Sequence, residues 1–250
     1  MNSNAKTLIT LATYNEIENL PTLVNELRAT IPSADILVVD DNSPDGTGQW
    51  IKEQSLLDKR LRFVIRTQER GLGTAVITAF KYAISNDYAY VVNLDADGSH
   101  PVEAIPRMLD IMTAPSSQYD NPQPDVIIGS RYVRGGGTKN WPTKRKFMSR
   151  GINLFTKILL NLKTHDNSGS FRCYRIENLK LINFDQFYST GYSFFEEMLF
   201  RLKEVNARFL EIPIIFTERT KGYSKINAGE AFKALIIITK MGLLRLYKRS

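Results

Sequence analysis

The chain has 250 residues, 43% of them hydrophobic and 24% charged, which excludes disorder, collagen and coiled coil and favours one large domain. A single cysteine, Cys173, and two histidines, His100 and His165, exclude a disulfide framework, a cysteine-built zinc site and a histidine-rich metal centre, and fit a reducing compartment. The net charge of +7 points to an anionic partner: phosphate, nucleotide, nucleic acid or lipid headgroup.

No charged segment followed by an apolar run opens the chain, so no signal peptide is expected. Residues 7–12 form a short apolar run and predict a buried strand. Asn15, with Glu18 three residues on, predicts a capping-box start for a helix that runs to about Thr30, before Pro32. Residues 36–39 predict a second buried strand, running into the turn-forming Asp40-Asp41-Asn42-Ser43-Pro44-Asp45-Gly46. A helix near 47–57 and a strand at 62–66 follow. Gly71-Leu72-Gly73 then leads into a helix through Ile84, and a strand is expected at 88–94. A helix at 102–113 and a strand at 126–128 complete five strands separated by helices. That pattern predicts an α/β fold with a mostly parallel sheet covered by helices on both faces. Residues 116–124 read as a polar surface loop, and Gly135-Gly136-Gly137 as a hinge or close-approach loop. Beyond lie basic amphipathic segments at 144–162 and 230–248. The longest uncharged apolar stretch, near 234–239, falls far short of the roughly 20 residues of a bilayer span.

Ligands of open parallel sheets bind outside the carboxyl ends of the strands. Asp40 and Asp41 end the second predicted strand, and Asp95 and Asp97 the fourth. In Asp95-Ala96-Asp97, two carboxylates flank a small residue, an arrangement suited to Mg²⁺ carrying a diphosphate; the competing reading is a pair of solvated turn aspartates. Asp41 could meet a base or ribose, while Asp45 or Ser43 caps the next helix. Gly71-Leu72-Gly73 lacks the third glycine of a dinucleotide fingerprint and reads as a tight strand–helix turn. Arg131 follows Gly129-Ser130 at the same edge, Arg145 and Ser149 share a helical face, and Arg219, Lys221 and Lys225 cluster around Gly222. Each alone is an ordinary surface charge, but together they are candidates for gripping phosphates.

These residues make the sequence recognisable. It resembles the family-2 glycosyltransferases, and within them the dolichol-phosphate (polyprenol-phosphate) mannose synthase branch, from about Leu8 to Lys225. The broader family is carried by Ala12-Thr13-Tyr14-Asn15-Glu16, residues 39–47 and Asp95-Ala96-Asp97. The narrower branch is carried by Gly129-Ser130-Arg131-Tyr132, Asn140-Trp141-Pro142, Ser168-Gly169-Ser170-Phe171-Arg172 and Lys221-Gly222-Tyr223-Ser224-Lys225. The resemblance implies a GT-A fold over residues 1–226, with 227–250 as a C-terminal amphipathic helix packed on the domain or on a membrane surface. It implies GDP-mannose as donor, Mg²⁺ or Mn²⁺ as cofactor, and polyprenyl or dolichyl phosphate as acceptor. By position, Thr13, Tyr14, Glu16, Val39 and Asp41 would surround the guanosine. Asp95, Ala96 and Asp97 would hold metal and diphosphate, with Ser99 nearby. Arg131, Arg145 and Ser149 would bind the acceptor phosphate, and Arg219 and Lys225 the donor phosphates. Asp97, Arg131 and Arg145 would carry catalysis. Glu197, beside Glu196, falls where the family has an acidic residue. Ala12 stands where proline is usual, and Ser99 where some members carry glutamine.

An acceptor phosphate is largely ionised at neutral pH and needs no general base, so single-step inversion is expected. A lipid acceptor places the enzyme at the cytoplasmic face of a membrane, with no nucleic-acid partner and with a membrane-anchoring subunit as a further potential partner. Lys144, Arg145, Lys146, Arg150, Lys157 and Lys163 flank Phe147, Ile152, Leu154, Phe155, Ile158 and Leu159. That segment is either an interfacial helix or a core-packing helix with a wet basic face. Three rivals remain. One is a UDP-glucose enzyme making polyprenyl-phosphate glucose. Another is a haloacid-dehalogenase-type phosphatase with Asp95 as nucleophile, and the last a non-catalytic basic module.

Overall fold

The computed structural model describes residues 5–68, 70–115, 122–191, 193–219 and 228–247. In its first half strands and helices alternate: β1 (Thr7–Thr13), α1 (Leu20–Thr30), β2 (Asp35–Asp40), α2 (Thr47–Leu57), β3 (Leu61–Ile65), α3 (Leu72–Ser85), β4 (Tyr90–Asp95) and α4 (Ile105–Thr113). The second half is less regular. It contains β5 (Val126–Ser130), β6 (Gly137–Lys139), α5 (Thr143–Leu159), β7 (Arg172–Arg175), α6 (Ile176–Lys180), α7 (Phe194–Glu204), β8 (Phe209–Pro213), β9 (Ile215–Thr217) and α8 (Ala228–Tyr247).

Seven strands form one sheet in the order β3-β2-β1-β4-β7-β5-β8, and β6 pairs with β9 in a small parallel ribbon. All pairings in the large sheet are parallel except those of β7, which runs antiparallel to β4 and β5. The period of two along each strand feeds two cores. Leu8, Leu37, Val39, Val91 and Ile128 face one core, beneath α3 and α7. Ile9, Leu11, Val38, Val92 and Ile127 face the other, beneath α1 and α4.

The five expected strands are all present, with ends shifted by one or two residues. The capping-box start of α1 is not. Asn15 takes φ +58°, and its N–H donates to Ser43 Oγ at 2.9 Å instead of to a helix. The helix begins only at Leu20, after the N–H groups of Asn19 and Leu20 close a turn on the Glu16 carbonyl at 3.0 and 2.8 Å. Asn tolerates the left-handed region, so the sequence that read as a cap makes a loop. The triple glycine is a close approach rather than a hinge: a Cβ on Gly136 would lie 2.4 Å from the Ser130 carbonyl oxygen. Residues 116–121 of the expected surface loop lie outside the described residues.

β1 departs to β2 on one side and its other neighbour is β4, so the strand order switches direction between β1 and β4. The register sets Ala12 beside Asp95 and Thr13 beside Asp40. One sheet edge therefore collects the ends of both acidic strands.

Candidate active site

The loops after β1 and β2 lock onto each other. Besides the Asn15–Ser43 bond, Glu16 N–H donates to Thr47 Oγ1 at 3.1 Å and Ile17 N–H to Asp45 Oδ2 at 3.1 Å. Ser43 Oγ in turn donates to Asp40 Oδ2 at 2.6 Å. Burial raises the Asp40 carboxyl above its ordinary range, only partly opposed by Ser43. Thr13 and Glu16 are buried at the rim, while Val39 turns its side chain into the core. Asp41 accepts from Arg66 Nε at 2.7 Å and from Gly71 N–H at 2.8 Å, so it ties the second strand to the start of α3. Gly71 is required there, since φ is +140° and a Cβ would meet the Thr190 carbonyl oxygen at 2.7 Å. Arg70 lies over the Tyr14 ring, 5.3 Å from its centroid, as a wall on the same side.

Asp95 ends β4, and a turn through Gly98 (φ +73°) follows. Asp95 Oδ2 lies 3.2 Å from His100 Nε2, which also reaches Ser170 Oγ at 3.0 Å. Burial would raise the Asp95 carboxyl, but His100, Ser170 and Arg219 together more than offset it and hold the group below the usual carboxylate range. Asp97 accepts from Ser99 N–H at 3.0 Å and pairs with Arg219 at 3.0 Å. Ser99 is buried, and its hydroxyl has no hydrogen-bond partner among the described residues.

The cations of the second half converge on Trp141. The guanidinium of Arg145 lies 4.2 Å from the Trp141 ring centroid and that of Arg131 lies 5.5 Å from it. Phe216 meets the same indole edge-on. Arg131 is held by Asp166 through its backbone N–H at 2.9 Å, Nε at 2.7 Å and Nη2 at 2.6 Å, while Ser168 Oγ takes Nη2 at 2.9 Å. Burial would raise the Asp166 carboxyl, and the facing Arg131 holds it low instead. Arg145 pairs with Glu218. Ser149 reaches the group through Tyr132, whose hydroxyl lies 2.6 Å from Ser149 Oγ. Arg131, Arg145, Ser149, Asp95, Asp97 and Arg219 are thus parts of one connected region; Lys225 lies outside the described residues.

The two glutamates of α7 differ. Glu197 is fully buried and spent: it accepts from Tyr188 and Ser189 N–H groups at 3.0 and 2.8 Å and from Arg201 Nε at 2.8 Å. It braces a loop and is no candidate base. Glu196 is buried with Oε2 unpartnered among the described residues, and burial pushes its carboxyl up to about 7 against the pull of Arg172 and Arg131. His100, Asp166 and Glu218 carry no role in the sequence reading, because their significance comes from partners 5, 35 and 73 residues away. Trp141 stood only inside a recognised motif.

Among the described residues no group of three or more His, Cys, Asp or Glu is arranged to hold a metal alone. Asp95 and Asp97 are the candidate ligands. Two hard carboxylates leave most of an octahedron to water and phosphate oxygens, which fits Mg²⁺ or Mn²⁺ and not zinc or copper.

The model of the family described as glycosyl transferase family 2 matches residues 9–182. An undecaprenyl-phosphate mannosyltransferase of Micrococcus luteus is 40% identical over 95% of this chain and 94% of its own length. A polyprenol monophosphomannose synthase of Mycolicibacterium smegmatis is 38% identical over 95% of this chain and 87% of its own. Among solved structures, glucosyl-3-phosphoglycerate synthase from Mycobacterium tuberculosis, in complex with Mn²⁺, uridine diphosphate and phosphoglyceric acid, superposes with a TM-score of 0.67 at 11% identity, over 96% of this chain and 79% of that one. A mannosyltransferase from Pyrobaculum calidifontis in complex with GDP-Man and Mn²⁺ gives 0.56 at 15% identity, over 88% and 58%. The fold is GT-A, and neither the phosphatase nor the non-catalytic reading survives these matches. The chain belongs to glycosyl transferase family 2.

Proposed function

We propose that this glycosyltransferase moves mannose from GDP-mannose to a polyprenyl phosphate, inverting the sugar carbon. The observation that carries the reading is the linkage of Asp95 and Asp97, at the switch point of the sheet, to Arg131 and Arg145: Asp97 through the consecutive Arg219 and Glu218, and Asp95 through His100 and Phe216 to Trp141. The relatives described above, at 38 and 40% identity, supply the mannose and the lipid phosphate.

In this reading Thr13, Tyr14, Glu16 and Asp41 line the base and ribose, with Arg66 and Gly71 fixing the Asp41 carboxylate; Val39, whose side chain is in the core, backs this wall and does not face the nucleotide. Asp95 and Asp97 would hold a divalent metal with the donor diphosphate, beside Ala96 and Ser99, and Arg219 and Lys225 would assist the departing phosphates. The metal, when bound, supplies charge neutralisation for the leaving group. An oxygen of the acceptor phosphate attacks the anomeric carbon. The carbon–oxygen bond to the diphosphate breaks with its electron pair, giving polyprenyl-phosphate mannose and GDP. Arg131, fixed by Asp166 through its Nε and Nη2, binds the acceptor phosphate in this reading together with Arg145 and Ser149. The acceptor arrives ionised, so no side chain need remove a proton, and catalysis consists of alignment and leaving-group stabilisation.

The acceptor's lipid chain calls for a membrane surface. No helix among the described residues is long and apolar enough to cross a membrane. Helix α5 has an inverted pattern: it buries Asn153 and Thr156 but exposes Phe147, Met148, Leu154 and Ile158. α8 buries Ile238 and Met241 and packs Gly242 against Leu159 of α5, while exposing Phe232, Ile236 and Leu243. Lys144, Arg150, Lys233 and Lys240 are exposed on the same two helices. Such an apolar face with basic flanks suits the anionic cytoplasmic surface of a membrane. Residues 1–226 are then the catalytic domain, and the segment 227–250, whose described part is α8, is shared between domain and lipid.

The test is a donor panel with vesicle-borne polyprenyl phosphate. GDP-mannose is expected to give a lipid-linked product, with activity falling several-fold when Leu154 and Ile158 are changed to Ser. Turnover with UDP-glucose alone would replace mannose by glucose in the reading.

A further inference from the structure

Both cations assigned to the acceptor phosphate already hold a carboxylate, and a carboxylate assigned to the donor side already holds a cation. Arg145 pairs with Glu218, and Asp97 pairs with Arg219. The two occupants are consecutive residues at the end of β9. Their backbone is anchored between the two half-sites: Thr217 N–H donates to the Ser99 carbonyl at 3.0 Å, and Glu218 N–H to the Lys139 carbonyl at 3.1 Å. Ser99 belongs to the turn that carries Asp97. Lys139 ends β6, just before Trp141 and α5. In extended chain successive side chains point to opposite sides, and here one reaches the acceptor cation and the other the donor carboxylate.

We propose that Glu218 and Arg219 form a two-charge strap that stands in for the two substrates, Glu218 for the acceptor phosphate on Arg145 and Arg219 for the metal–diphosphate on Asp97, so that filling one half-site loosens the strap at the other. The inference rests on the proposed function, whose half-sites it couples. Three features support it. The Arg145–Glu218 pair is exchangeable, its side chains being 32% and 25% exposed, whereas the Asp166 partner of Arg131 is fully buried. A phosphate monoester brings more charge and more acceptor oxygens than a carboxylate and outcompetes it for a guanidinium. The peptide bond between Glu218 and Arg219 links the two contacts, so drawing Arg219 off Asp97 toward a diphosphate shifts Glu218 relative to Arg145. Glu218 is accordingly a positioning residue, acting through Arg145.

The test measures binding, not turnover. The chain has two tryptophans, and a Trp50→Phe background leaves Trp141, stacked on Arg145, as the fluorescent reporter. The probes are GDP with Mg²⁺ on the donor side and a short-chain prenyl phosphate on the acceptor side. Saturating GDP–Mg²⁺ is expected to tighten prenyl phosphate binding about three- to tenfold, and prenyl phosphate to tighten GDP–Mg²⁺ binding by the same factor. In Glu218→Gln, and equally in Glu218→Ala, prenyl phosphate should already bind more tightly without GDP, and the coupling should fall to near one. Absent coupling in the parent protein, coupling unchanged in both variants, or weaker prenyl phosphate binding in the variants would overturn the strap. Failure of the parent to bind either probe would instead remove the proposed function.

Discussion

Arg131 and Arg145 stack against the same indole, yet they are held by different means. Arg131 is locked by Asp166, a fully buried carboxylate that accepts three bonds from it and is itself fixed by Glu211, which accepts from the Asp166 N–H at 2.9 Å. Arg145 meets one carboxylate, partly exposed, through a single nitrogen. The first pair is scaffolding: its guanidinium is aimed before any ligand arrives, which lowers the cost of ordering it on binding. The second is a contact that water and ligands can reach. The cations around Trp141 thus include one that is fixed and one in a replaceable ion pair.

The largest effect expected from this contrast is on folding. Asp166→Asn leaves Arg131 buried without its counter-charge and should cost about 3–5 kcal/mol in chemical denaturation. Equal stability of Asp166→Asn and the parent would mean that the buried pair is not a scaffold. Glu196, buried near the same pair, gives the next effect. Its carboxyl is raised from an ordinary 4.5 to about 7, so between these values the unfolded chain has lost the proton that the folded chain keeps. Stability should therefore fall as pH rises through that window, by up to roughly 3 kcal/mol, and level off above it. Carboxyls held low, such as Asp166, act in the opposite direction, so the readout is the difference between the parent and Glu196→Gln. The variant should lack this part of the decline; parallel pH profiles would contradict the raised value. Smallest is Glu218→Gln, which should change stability by no more than about 1 kcal/mol. A loss comparable to that of Asp166→Asn would erase the contrast between the two pairs.

The first half of the fold was legible because its central strands contain apolar runs buried on both faces, as in residues 36–39 and 91–92. β7 escaped notice for a physical reason. Its four residues begin and end with arginine, and Arg172 is nonetheless fully buried, donating to the carbonyls of Phe195 and Asn167 at 2.8 and 2.7 Å. A charge satisfied by distant backbone looks like a surface charge in sequence. The acidic rim was visible for the same reason as the strands, since Asp40 and Asp95 directly end buried runs. The capping-box reading of Asn15 failed because Ser43, 28 residues away, supplied a competing acceptor. The alternation of apolar and polar positions in α5 was visible, but which face turns inward was not. Asn153 is drawn into the core by the loop that holds Arg131: it accepts from Asn167 N–H at 2.6 Å and donates to Ser168 Oγ at 3.1 Å.

The central claim is that the paired carboxylates at the end of β4 hold the donor diphosphate through a divalent cation. It is tested most directly by titrating GDP into the parent protein and Asp97→Ala, with Mg²⁺ or Mn²⁺ and then in excess chelator, alongside turnover of GDP-mannose. Metal-dependent GDP binding in the parent is expected, together with a fall in turnover of about 100-fold or more on either chelation or the substitution. Undiminished turnover in excess chelator, or a fully active Asp97→Ala, would contradict the account.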